Sequence, residues 1–300
     1  MSLTIRLICY IYINIINNKK VNRMKTFGSC AFAIALAIGT TSAYANVWFN
    51  ASASHNSDAD LSGAKGDVSI STYNFAGGND FVTVGYKRTD YDFSSSANDW
   101  YDALNYLYVD LRKDFPINTT LGVFGGLTLA SGFEDDFHLQ DNYAVSPRAG
   151  ISYKFTPRIT GFAGAYAQFN EVDNKFLPIL GVKIGNDSEV GLSGSIAYPA
   201  TRINYRFNKL FALEGSFLTI KDLYQLSDNS KLYKKGYVFE EGYGVSGGVV
   251  VTPIQGLSVR AGIQSYFDRE YNYYDHGGNK QASVDVDPSV GFYTNLSYGF

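Results

Sequence analysis

The residues best suited to chemistry are three histidines, His55, His138 and His276, each in or beside a separate polar stretch. His55-Asn-Ser57, and His138 with Ser131 nearby in sequence, could each set an imidazole beside a hydroxyl, the pairing that activates a serine nucleophile. Neither carries a third group spaced to orient the ring, so a nucleophile, base and orienter set is absent from the pattern. No grouping of ligating residues has metal-binding spacing. Gly242-Tyr-Gly244-Val-Ser-Gly247 matches a dinucleotide fingerprint as a string, but that motif needs a helix after its strand and here it sits within one strand pattern. Asp58-x-Asp60-x-Ser62-Gly63 opens like a calcium loop, yet Ser69 stands where the bidentate glutamate belongs. The expectation is a protein that is not an enzyme and holds neither cofactor nor metal.

The charged residues follow a clearer rule. Leu107, Val109 and Leu111 alternate with Tyr108, Asp110, Arg112 and Asp114; Ile151, Tyr153 and Phe155 with Ser152 and Lys154; Ile203, Tyr205 and Phe207 with Arg202, Asn204 and Arg206; Leu257, Val259 and Ile263 with Ser258, Arg260 and Gln264. Period 2 means β-strands with one apolar and one charged face. The charged face holds eight bases, Lys87, Arg112, Arg148, Lys154, Lys183, Arg202, Arg206 and Arg260, against four acids, Asp110, Asp114, Glu214 and Asp268.

These strands run through most of the chain without a helical period. From Phe81 the pattern gives twelve of them, and fourteen if a less regular hairpin over Val47–Phe75 joins. Tyr and Phe gather at strand ends, as in Trp100-Tyr101, Tyr237, Tyr271, Tyr273 and Tyr274, where an interfacial girdle accounts for them. The fold class expected is all-β, a transmembrane antiparallel β-barrel of about twelve strands, with ten to fourteen allowed.

The last strand carries the most regular alternation. Val290, Phe292, Thr294, Leu296, Tyr298 and Phe300 form its apolar face and end on the terminal aromatic. This resembles the signal by which the bacterial barrel-assembly machinery recognises outer-membrane barrels, which implies outer-membrane lipid and that machinery as partners. With Phe300 at the periplasmic rim, the short turns at Pro116–Thr119, Pro157–Arg158, Gly185–Glu189, Asn208–Leu210 and Thr252–Gly256 fall on the periplasmic side. The long stretches Phe93–Ala103, Ser131–Pro147, Asn170–Lys175, Lys221–Gly236 and Arg269–Ser289 fall outside, the asymmetry of such barrels.

Residues 24–45 read as a secretory signal peptide, with an apolar run from Cys30 to Ile38 and Ala43-Tyr44-Ala45 as the cleavage site. Residues 1–23 read as upstream sequence from a start assigned too early, leaving 46–300 as the barrel. Both cysteines, Cys9 and Cys30, fall in the removed part. The first 45 residues hold five of the 25 basic residues and none of the 28 acidic ones, so the remainder has a net charge of −8. That charge argues against a nucleic-acid partner.

Leu177-Pro-Ile-Leu-Gly181, the run Pro199–Phe207 and Asp268-Arg-Glu-Tyr-Asn-Tyr273 resemble an uncharacterised family of Gram-negative outer-membrane barrel proteins. The resemblance implies fold and location, and no activity. The leading functional expectation is a passive channel for small, anionic solutes, lined by Lys87, Arg112, Lys154, Arg202, Arg206, Glu214 and Arg260. A barrel that binds a partner through its outer loops is the alternative, and a lipid hydrolase at the rim is a third.

Overall fold

A computed structural model describes residues 46–62, 66–94, 100–135 and 142–300. The readings for residues 1–45 and for His138 lie outside the described residues.

The alternating segments all become strands. The first group is β1 (Trp48–Ser62), β2 (Asp67–Gly78), β3 (Val82–Phe93), β4 (Ala103–Pro116) and β5 (Leu121–Phe133). Shorter strands follow, β6 (Tyr143–Thr156), β7 (Ile159–Asn170), β8 (Lys175–Ile184), β9 (Gly191–Tyr198) and β10 (Ala200–Arg206). The third group is β11 (Phe211–Gln225), β12 (Tyr237–Ile254), β13 (Leu257–Tyr274), β14 (Lys280–Val286) and β15 (Ser289–Gly299). Each pairs antiparallel with its neighbour in sequence from β1 to β13. β14 and β15 share one position in the wall, because β14 pairs with Arg269–Tyr274 of β13 and β15 with Leu257–Tyr266.

Closure depends on the amino-terminal hairpin. β1 pairs with β15 from Trp48↔Gly299 to Asn56↔Gly291 and with β2 on its other edge. Without β1 and β2 the edges of β15 and β3 would be left unpaired, which a spanning sheet cannot tolerate. The barrel therefore has fourteen strand positions, where the sequence suggests about twelve. Part of the stretch expected as the long loop 269–289 is also strand. There the tight turn at 275–279 is held by the Asn279 N–H donating to the Asp275 carboxylate at 2.9 Å, which keeps that carboxyl below its ordinary range.

At the rim opposite Phe300 the sheet forks. β11 pairs with β10 only as far as Ala200↔Leu218, and its end then makes a parallel pair with β5 at Gln225↔Phe133. This bypasses β6 to β10 and draws the remaining strands into a narrower upper barrel. Gly132 makes the approach possible, since a Cβ there would sit 2.0 Å from the Leu223 carbonyl oxygen. The Ser227 N–H also donates to the Glu134 carboxylate at 2.8 Å, and burial raises that carboxyl above its ordinary range.

The narrow end is filled with side chains. Val68, Leu104, Tyr91, Tyr101, Tyr224, Val238, Tyr271 and Tyr273 form one buried cluster. Tyr91 and Tyr101 meet edge-on at 4.9 Å, as do Trp100 and Tyr273 at 5.4 Å. The sequence assigns Tyr101, Tyr237, Tyr271 and Tyr273 to an interfacial girdle, and the structure corrects this by burying all four. Their period alone could not separate a rim aromatic from a core aromatic, because the narrowing is set by the distant β5–β11 pair.

Candidate functional site in the barrel interior

Two contacts across the barrel establish which face is inside. Lys87 on β3 meets Asp222 on β11 at 2.6 Å, and the Tyr91 hydroxyl donates to Glu240 on β12. By alternation along the strands, Tyr106, Asp110, Arg202, Glu214 and Arg260 share that inner face. The outer face carries Leu111, Ile151, Phe155, Leu180, Ile196, Tyr205, Phe207, Ile263 and Phe292, all solvent-exposed in the isolated chain.

The outer apolar face has limits. Phe217, Tyr243 and Phe267 stack side by side across β11, β12 and β13, with ring centres 5.7 and 5.8 Å apart. Above that row come Lys221, Glu241 and Glu270. On β13 the distance from Leu257 to Phe267 is ten residues, which at ~3.3 Å per residue and a tilt of ~40° rises about 25 Å, the height of a membrane barrel's apolar band.

Inside, near the Phe300 rim, the charged residues converge. Arg202 reaches Glu214 on the adjoining β11 at 2.5 Å and Asp187 in the β8–β9 turn at 3.0 Å. Arg260 leans from β13 across β12 to the same Glu214 oxygen at 3.3 Å and donates to Asn295 at 2.9 Å. Asn295 and Asn50 exchange amide hydrogen bonds of 2.9 and 3.1 Å. Arg206 donates to the Asp187 carbonyl at 2.8 Å. A few strands away Arg148 grips both oxygens of Asp110 at 2.8 and 2.9 Å, and Thr128 donates to the same carboxylate. The Arg202 side chain remains 42 % exposed while Glu214 is at 10 %, so solvent wets the guanidinium around a sequestered carboxylate.

The predicted lining thus divides into three places. Arg202, Arg206, Glu214 and Arg260 form one network. Lys87 sits beneath the buried tyrosines, its ammonium 5.4 Å from the Tyr106 ring and 5.6 Å from that of Tyr224. Arg112 and Lys154 are exposed on the strand ends at the Phe300 rim, with Arg112 making a long 3.4 Å contact to the Asp80 carbonyl.

Asp268 is a correction. A β-bulge between Glu241 and Tyr243 places two residues of β13 opposite Gly242, so the alternation reverses. Asp268, at φ 52°, becomes exposed, and Arg269 takes the buried position. Gly242 lies at φ 154° with its missing Cβ against Arg269, which explains the small residue in the apparent dinucleotide string. That string lies wholly within β12.

The interior also holds acids that the sequence reading missed. Asp222 falls in a stretch expected as loop, Glu240 lies on a strand whose inner face was not assigned, and Asp187 belongs to a turn. With these three acids, and Arg269 in place of Asp268, the inner face named here holds nine bases against six acids, and Lys87 and Arg202 gain counter-charges that the sequence did not assign. The one signal available in the sequence was the length of the alternating stretch Tyr237–Val251, which exceeds what a bilayer needs.

The histidines take other positions. His55 points outward on β1, its Nδ1 3.0 Å from the Ser71 hydroxyl and not beside Ser57. Asp90 is the register neighbour of Ser71, on the side away from His55, and its carboxylate is taken by Arg88 at 2.7 Å. His276 Nδ1 lies 3.3 Å from the Lys235 carbonyl oxygen. Among the described residues no group of three His, Cys, Asp or Glu side chains is placed to hold a metal ion. Asp58 and Asp60 of the apparent calcium loop are in extended strand β1.

No protein-family model matches the chain, and no curated protein does. Solved structures do resemble it. The NanC porin aligns over 83% of this chain and 98% of its own at a TM-score of 0.36 and 10% identity. The KdgM porin aligns over 84% and 99% at 0.34 and 10% identity. A Pseudomonas aeruginosa FadL homologue aligns over 85% and 90% at 0.34 and 11% identity.

Proposed function

We propose that the chain is a passive channel of the bacterial outer membrane for small solutes. The observation that carries the reading is the inversion of polarity: apolar side chains face outward over about 25 Å, and ion pairs face inward. Exposing that outer face to water would leave a continuous apolar band far larger than the few hundred Å² a soluble monomer shows. Lipid is the surrounding that removes the cost.

Orientation follows from the closing strand. Phe292 and Phe300 project outward from β15, and the Tyr298 and Phe300 rings meet at 4.7 Å at the rim. Phe292, Leu296, Tyr298 and Phe300 then serve as the assembly signal, with that rim in the periplasm and the narrowed end outside.

The Arg202, Arg206, Arg260 and Glu214 network forms the polar lining through which solutes pass. With Asp187 included it holds three bases and two acids, so only a weak preference for anions is expected. Replacing both Arg202 and Arg206 by Glu should move ion preference towards cations, measured as reversal potential under a salt gradient. An unchanged reversal potential would remove these residues from the pathway.

One observation favours a second reading. The buried tyrosines seal the narrow end along the barrel axis, as a barrel that acts through its outer loops would have them. Loop-dependent binding by a barrel that never conducts would support it.

A further inference from the structure

The channel reading leaves a difficulty, because the axial outer end is filled. We propose that solutes leave through the side of the barrel, at the fork between β10 and β11, and that the β7–β8 turn is the lid over this opening. The proposal rests on the channel reading and names its outer mouth.

Three features of the fold locate the opening. From Ile220 to Asp222, β11 is past its last backbone bond to the β9–β10 wall, Thr219 N–H to the Pro199 carbonyl at 3.2 Å, and short of its approach to β5 at Leu223, so among the described residues its ladder runs to β12 alone. The neighbouring wall is also low. β9 and β10 contain 8 and 7 residues, which at ~3.3 Å per residue step and ~40° of tilt rise only about 15 to 18 Å, short of the ~25 Å band. Finally, Leu218 shares the inner face with Glu214 and Ser216, lies at the end of the β10 pairing, and is 38% exposed. An accessible inner leucine at the edge of the low wall marks where the interior meets the fork.

The lid is seen in what covers the outside of the fork. Leu223, Tyr237 and Phe239 point away from the axial core yet are buried, with Val172 from the β7–β8 turn packed on them. Lys175, at the end of that turn, pairs with Glu241 at 2.5 Å and places its ammonium 4.3 Å from the Phe239 ring centre. Lys221 approaches the same Glu241 oxygen at 3.8 Å. The turn is thus held to β11 and β12 by one apolar contact and one ion pair rather than by strand pairing. Contacts of this kind can release while the barrel ladder stays intact. Beside them an open cleft of about 220 Å³ starts at Thr219 and Lys221 and runs over Glu241 and Tyr243 to Asp268, Glu270 and Asp285.

The test is a reversible cross-link in the protein as purified from outer membranes, whose residues 46–300 contain no cysteine. Val172→Cys with Phe239→Cys would tie the lid to β12, and Lys175→Met with Glu241→Gln would loosen it. Single-channel recording should show conductance lost on oxidation and restored by reductant in the first variant, and open more often in the second. Conductance that persists unchanged through cross-linking would overturn the side route while leaving the channel reading in place. A rise in conductance on Tyr271→Ala with Tyr273→Ala, with no response to the lid variants, would place the mouth on the axis instead. Silence in every variant, including the loosened one, would overturn both the route and the channel reading.

Discussion

Replacing Tyr224 by alanine should destabilise the folded barrel by about 3 to 5 kcal/mol, the range for removing a large buried aromatic. Tyr224 is fully buried, packs against Tyr106 at 5.9 Å, and sits where β11 turns from β10 towards β5. Its loss would leave a cavity among side chains drawn from β3, β4, β12 and β13, which are pinned by their own ladders and can collapse only in part. The hydroxyl finds no partner in the core, so Tyr224→Phe should be neutral or slightly stabilising, since it removes an unsatisfied polar group. Urea titration of the refolded protein would show a lower midpoint for the alanine variant and an unchanged one for the phenylalanine variant. Equal midpoints for wild type and Tyr224→Ala would mean that the upper cluster is not packed in solution.

Placing an arginine at Ile263 should cost about 2 to 4 kcal/mol, the penalty for a base facing lipid at mid-depth. Ile263 lies between Leu257 and the aromatic row at Phe267, points outward, and is 59% exposed in the isolated chain. Val290→Arg, on the same face beside Ser265 and so near the upper limit of the band, should cost about 0 to 1 kcal/mol. Refolding into lipid vesicles would report the two values. The contrast matters more than either number. A water-exposed sheet would tolerate both substitutions equally, and that result would contradict the membrane reading.

Much of this was legible because a barrel wall has period 2 and the sequence alternates strictly in β4, β6, β10 and β15. The inner position of Arg202, Glu214 and Arg260 follows from that alternation alone. Three features broke the rule for separate physical reasons. The amino-terminal hairpin is Ser- and Asn-rich, so its faces differ little in polarity, although its pairing with β15 closes the barrel. At Asp268 a bulge shifts the alternation by one residue, and a period-2 reading carries no information about bulges. The fork depends on a single parallel pair between Phe133 and Gln225, residues far apart in sequence. Its local trace is small, chiefly Gly132 and strands longer than the bilayer requires.

The charge argument shows the same limit. Bases on the inner face of β8, β10 and β13 were visible, whereas Asp187, Asp222 and Glu240 were hidden in a turn, an apparent loop and an unassigned face. The folded lumen keeps an excess of bases, but Asp222 and Asp187 pair with Lys87 and Arg202, as charge taken out of water requires. Selectivity therefore depends on the exposed fraction of Arg202 more than on a count of bases.

The most direct test of the central claim is single-channel conductance of refolded residues 46–300 in a planar bilayer, recorded under a salt gradient. Discrete current steps with a weak anion preference are the predicted result. A protein that inserts and folds yet never conducts, at any voltage and with the lid loosened, would contradict it.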